Sequence, residues 1–223
     1  MTTSPTRAAQ RCRRKFLRIF PGGFHDETYL AWERDYKWSG HRAWVSEIGR
    51  KQDFRTTLDA GHCGEIAATA ARIESSRSLL FSFEKMALRD AVVRSTTGAQ
   101  SFALGLYDWL HGEGGERERF ERWVEVMRSL PRRQTRVATW PALTVFGFLA
   151  RPRTHFFLKP TAMRRAADAY GFDLDYSPRL TWQTYASAIE FSRVAAADLS
   201  DLQPRDQIDI QSFLWVQGSD EYE

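Results

Sequence analysis

Apolar residues recur at three- and four-residue spacings along nearly all of this 223-residue chain, while period-two alternation is rare and no Asn-Gly or Asp-Gly pair occurs. Such spacing gathers apolar side chains on one face of a helix and cannot supply the alternating faces of a sheet. The chain therefore reads as all-α, and no internal repeat divides it. The stretch Thr139 to Phe172, TWPALTVFGFLARPRTHFFLKPTAMRRAADAYGF, looks like two helices joined by a short apolar turn. Pro160 opens the second, where its fixed φ and missing N–H suit the first helical turn.

The remaining segments follow the same rule. DETYLAWERDYKW begins at a capping Asp26 and aligns Tyr29, Trp32 and Tyr36 as one apolar face, and Gly40 reads as the end of that helix. HRAWVSEIG and GEIAATAARIE are expected as two further helices separated by Gly61 and Gly64. RSLLFSFEKMALRDAVV carries Leu80, Phe83, Ala87 and Ala91 on a stripe, and GGERERFERWVEVMRSLP sets Phe120, Trp123, Val124 and Met127 against a charged face. A last helix, PRDQIDIQSFLWVQG, is expected to open at Pro204. The length allows one core or two small lobes, with residues near 75 to 150 as one set and both termini as the other. No linker rich in Pro, Gly or Ser separates such lobes, so the division expected is a basic arm over 1–20 and a single helical domain over 21–223.

Charge is distributed unevenly. From Arg128 to Arg165 there are nine Lys or Arg residues and no Asp or Glu, whereas Asp198 to Glu223 holds seven acidic residues against Arg205 alone. An uncompensated basic run of that density is the footprint of a phosphate backbone. It makes Arg132, Arg133, Arg136, Arg151 and Arg153 the expected backbone contacts and double-stranded DNA the expected partner. Cys12 and Cys63 form no CxxC or Cys/His cluster and the five histidines are scattered, so neither a disulfide framework nor a metal site is expected. Phosphate-loop, dinucleotide, GxSxG and HExxH signatures are absent, and no cofactor is called for. The basic start has no long apolar run and no segment reaches the ~18 apolar residues of a membrane span. A soluble, cytoplasmic monomer is the expectation.

Three places carry candidate chemistry. Gln211 and Trp215 are i, i+4 in QSFLWVQG, so an amide and an indole share a helical face. That pair can read and stack a nucleobase, though a core tryptophan beside an incidental glutamine gives the same spacing. Lys159 precedes Pro160 at a helix N-terminus, where the dipole favours anions, so it is either placed to meet a phosphate or a base or simply solvated. ERDYKWSGH mixes Glu33, Asp35, Lys37 and His41; it is a solvated helix end, or a pocket wall in which Glu33 or Asp35 meets a reacting sugar while Lys37 meets a phosphate.

Two of these segments resemble a known family. The helix pair followed by HFFLKPTAMRRAADAYG resembles the helix–hairpin–helix DNA glycosylases. QSFLWVQG is similar to the Asp-Ser-x-x-Trp element in the last helix of archaeal 8-oxoguanine glycosylases, and LTVFGF to the helix after their catalytic lysine. The match runs from about 128 to 218 without the Leu-Pro-Gly-Val-Gly hairpin. It implies a compact helical glycosylase-like fold with a degenerate hairpin region, base flipping, and Trp215 as the stacking ring. The departures refine it: Ala142 stands where that family has its Schiff-base lysine, and Lys159 or Pro160 where it has the catalytic Asp. The resemblance thus implies a monofunctional hydrolase with Glu33, Asp35 or Asp209 as its carboxylate. Gln211 in place of an Asp implies a different base, for which a hypermodified phage cytosine is one candidate, in repair or antiviral defence. The rival expectation is a non-catalytic helical protein that binds DNA or a partner through the basic run alone.

Overall fold

The computed structural model describes residues 5–133 and 135–222. In chain order the helices are α1 (Arg7–Ile19), α2 (Glu27–Tyr29), α3 (Asp35–Glu47), α4 (Lys51–Asp59), α5 (Cys63–Ser75) and α6 (Ser82–Val92), then α7 (Thr96–His111), α8 (Glu116–Ser129), α9 (Trp140–Ala150), α10 (Pro160–Tyr170), α11 (Trp182–Asp198) and α12 (Gln207–Gly218). A π-turn, Leu30–Arg34, joins α2 to α3. No strand occurs among the described residues, and the protein is all-α.

The chain forms two compact units: Met1–Trp38 with Pro152–Glu223, and Ser39–Arg151. This differs from an arm followed by one domain. Residues 7–19 form α1, which buries Ala9, Cys12 and Phe16 and packs on α10 and α12. Its arginines occupy the outward face of an amphipathic helix.

In the first unit α10 and α12 are close partners, and α11 packs on α12. Gly218 permits the approach, because a Cβ there would lie 1.9 Å from the Ala162 carbonyl oxygen. Phe16, Phe20, Phe24, Tyr29 and Phe213 form a buried aromatic cluster with edge-on and tilted rings. Asp206, not Pro204, caps α12 by accepting from the Ile208 N–H at 3.0 Å.

In the second unit α9 is apolar on every side and is buried from Trp140 to Leu149, with α5, α7 and α8 packed on it. Trp123 stacks on Trp109 with ring centres 5.5 Å apart and donates its indole N–H to the Leu143 carbonyl at 2.9 Å. Two local expectations are corrected here, and one further helix appears. Gly40 does not end a helix but lies inside α3, because a side chain there would meet Leu149 at 2.7 Å. KQDFRTTLD, a segment between the two expected helices, forms α4 with Phe54 and Leu58 buried. The buried face of α6 is Glu84, Leu88, Ala91 and Val92, while Phe83 is exposed, since Glu84 turns inward to accept from Thr139 and from the Phe81 N–H. The expected helix pair is α9 and α10; the link, residues 151–159, crosses from the second unit to the first.

Candidate functional site

The π-turn decides which side chains the first unit buries. In a plain α-helix Tyr29, Trp32 and Tyr36 align; the extra residue of a π-turn moves the alignment on by one position. The observed inward face is Tyr29, Glu33 and Lys37, with Arg34 beside it, while Trp32 is 60% exposed. An aromatic stripe in the sequence becomes a charged one in the fold.

These charges meet α12. Asp209, fully buried, accepts at Oδ1 from the Tyr29 hydroxyl at 2.6 Å, Arg34 at 2.8 Å and the Arg205 Nη2 at 3.0 Å. At Oδ2 it accepts from the Arg205 N–H and Nε–H at 2.8 and 2.9 Å. Arg34 also makes a fork on Asp206 at 2.9 and 2.8 Å and lies over the Trp38 ring. Burial pushes the Asp209 carboxyl up, but the Arg205 and Tyr29 donors outweigh it and hold its pKa below the ordinary range. Burial and the Asp209 charge together raise the Tyr29 phenol well above its usual value.

One turn further along, Lys37 donates to Glu33 Oε2 at 2.7 Å and to the Ser212 hydroxyl at 2.8 Å, with both charged groups almost wholly buried. Glu33 Oε1 accepts from the Tyr222 hydroxyl at 2.6 Å. Burial opposes the ammonium charge, yet the neighbouring Glu33 carboxylate raises the Lys37 pKa on balance. Burial and the bond to Glu33 raise the Tyr222 phenol.

Gln211 and Trp215 follow on the same helix. The Gln211 Oε1 is out of solvent and accepts no hydrogen bond from the protein. Trp215 is half-buried; its indole N–H donates to Glu221 at 3.2 Å, and the Lys159 Nζ stands 4.7 Å from its ring centre. Lys159 is the residue before α10 begins, and its ammonium also approaches the Phe157 ring at 5.8 Å. A cation over an indole, at the foot of a helix N-terminus, forms an electropositive aromatic wall.

The structure thus brings Glu33, Lys37, Asp209, Gln211, Trp215 and Lys159 into one unit and sets Asp35 apart as an exposed residue. Arg132, Arg133 and Arg136 are exposed between α8 and α9 in the second unit; Arg151 is exposed at its end, and Arg153 is exposed in the first. Ala142, expected at a catalytic lysine's place, is core at 1% exposure. Sequence reasoning missed Tyr29 and Arg34 as partners of Asp209, and Ser212 and Tyr222 as partners of the Lys37–Glu33 pair. One signal was present: an Asp inside the apolar run of IDIQSFLWV must find donors elsewhere. No group of three or more His, Cys, Asp or Glu side chains is placed to hold a metal among the described residues. No helix of these residues is long and apolar enough to cross a membrane. Comparison with family models, curated proteins and solved structures finds no match.

Proposed function

We propose that this protein is a monofunctional DNA glycosylase that flips a modified or damaged base onto Trp215 and hydrolyses its N-glycosidic bond. The observation that carries the reading is the Gln211 amide oxygen, buried without a hydrogen-bond partner on the helix face of a half-buried tryptophan. A buried acceptor without a donor is unfavourable in the free protein. A base edge supplies the donor, and the indole supplies the stacking surface, worth about 1–3 kcal/mol per base. Lys159 over the same ring attracts the phosphate or the electron-rich edge of the flipped nucleotide.

Glu33 is the carboxylate favoured for the chemistry. Asp209 has both oxygens committed to Tyr29, Arg34 and Arg205, and Asp35 faces solvent. One Glu33 oxygen is bound to Tyr222 of a half-exposed C-terminal turn, so local movement of that turn frees it to orient water or to face an oxocarbenium-like sugar. Lys37 holds the other Glu33 oxygen at 2.7 Å. Arg132, Arg133, Arg136, Arg151 and Arg153 contribute phosphate contacts, and the protein acts as a cytoplasmic monomer on duplex DNA, in repair or against phage DNA carrying hypermodified pyrimidines.

The test is incubation with duplexes carrying a panel of modified bases, with mass spectrometry of released bases. The expected products are a free base and an intact abasic strand cut only by alkali, with no borohydride-trapped complex. Trp215→Ala and Glu33→Gln lose release while keeping DNA affinity, and Arg132→Ala with Arg133→Ala flattens the salt dependence by up to about two units of log–log slope. Salt-dependent DNA binding without release from any substrate overturns the enzyme reading in favour of a DNA-binding anchor.

A further inference from the structure

The second unit contains a cavity of about 480 Å³ lined by Arg50, Lys51, Arg119, Arg151 and His111 together with Trp44, Val45 and Leu110. None of its lining residues is acidic. The adjoining cavity, about 680 Å³, offers a contrast inside the same unit. Asp59, Asp108 and Glu113 line it, pairing Arg55 with Asp59 at 2.9 Å and Arg122 with Asp108 at 2.7 Å, while Lys51 and His111 border both cavities. In the first cavity Arg119 gives one nitrogen to the Gly114 carbonyl at 2.5 Å, while its Nε is out of solvent with no hydrogen-bond partner. Lys51 is the first residue of α4, whose N-terminal dipole also favours negative charge. Asp53, the nearest acid on that helix, is turned to the Arg50 N–H at 3.0 Å and does not line the cavity.

Arg50, Lys51 and Arg119 converge on one apolar-backed hollow beside Arg151, whose Nη1 donates to the Leu110 carbonyl at 2.5 Å, and like charges gathered so favour an anion among them. The volume lies in the range of small-ligand sites and exceeds what a lone phosphate fills. We propose that this cavity binds a phosphate group carried on a nucleotide-sized ligand, with Arg50, Lys51, Arg119 and Arg151 as its donors. The phosphate belongs either to a free nucleoside monophosphate or to a nucleic-acid strand, and the site stands independently of the glycosylase reading. His111 reports on occupancy. Burial, then Arg151 and Lys51, push its pKa down to about 4, and an anion beside those cations reverses the second effect.

The experiment follows the His111 ring resonances by NMR against pH, in the full chain, with adenosine 5′-monophosphate, inorganic phosphate, or a short DNA duplex. A rise in the His111 pKa with the monophosphate supports a free-nucleotide site; a rise with duplex alone supports a strand contact. Arg119→Gln and Lys51→Gln weaken the effective ligand by about tenfold each, as expected for a lost charge-assisted bond. Arg55→Gln, in the compensated cavity, and Trp215→Ala, in the other unit, leave the response unchanged. No shift with any of the three probes, or a shift that survives both cavity substitutions in folded protein, overturns the proposal. Base release from Trp215→Ala is a separate readout, so failure here leaves the glycosylase test intact.

Discussion

In the first unit the buried carboxylate of Asp209 is surrounded by donors from Tyr29, Arg34 and Arg205, whereas in the second a hollow beside His111 gathers Arg50, Lys51, Arg119 and Arg151 with no carboxylate in its lining. Both regions concentrate charge, but only the first sets carboxylates among its cations. Charge matched within the fold fixes the geometry of the elements that supply it: here the π-turn, the entry to α12 and the aromatic cluster. A hollow whose lining carries cations and no carboxylate attracts an anion from outside. The Glu33–Lys37 pair lies between these extremes, matched to itself yet linked through Tyr222 to a turn that is half exposed.

The largest effect expected from breaking this contrast is at Asp209. Asp209→Asn strands Arg34 and Arg205 beside a neutral amide and lowers stability by about 3–5 kcal/mol in chemical denaturation. Next comes Glu33→Gln, which leaves the Lys37 ammonium buried without its carboxylate and lowers stability by about 2–3 kcal/mol. Adding Lys37→Met to Glu33→Gln recovers part of the loss, because removing both charges removes the desolvation penalty as well. A double variant no more stable than the single one shows that the pair is held by Ser212 and Tyr222 rather than by its own charge.

Acid separates the two units. The Asp209 pKa is lower folded than unfolded, so its contribution is complete above about pH 4 and is lost as pH falls through the folded value. His111 is depressed from 6.5 to about 4, so the unfolded chain takes up the proton first and stability declines between those values as pH falls. His111→Asn removes the slope above pH 4 and leaves the loss below it, as measured by melting temperature across pH. The smallest effect is at Lys51, an exposed cation of the hollow. Lys51→Gln raises stability by no more than about 0.5 kcal/mol through relief of repulsion, whereas a paired cation such as Arg55 gives a small loss when replaced.

The helical class was legible because three- and four-residue spacing survives almost anywhere in this chain, and the i, i+4 relation of Gln211 and Trp215 needed only that spacing. What escaped was tertiary. Gly40 looks like a stop signal locally but serves the close passage of Leu149, and α4 was hidden because its two buried residues, Phe54 and Leu58, are too few to advertise a face. The approach of Lys159 to Trp215 and of Tyr222 to Glu33 joins residues far apart in the chain, which no local pattern encodes. The arginines of 128–165 were read as one strip, yet the unit boundary falls between Arg151 and Pro152.

The π-turn at Leu30–Arg34 makes the chemistry of the first unit a matter of how the helix winds as much as of residue identity. Tyr29 and Lys37 are eight residues apart, which in an unbroken α-helix leaves them about 80° out of phase; the extra residue brings them to within roughly 20°. Rewinding the same residues as an unbroken α-helix would rotate Trp32 and Tyr36 into the place of Glu33 and Lys37. Every side chain would still be encoded, and a charged pocket wall would have become a greasy one.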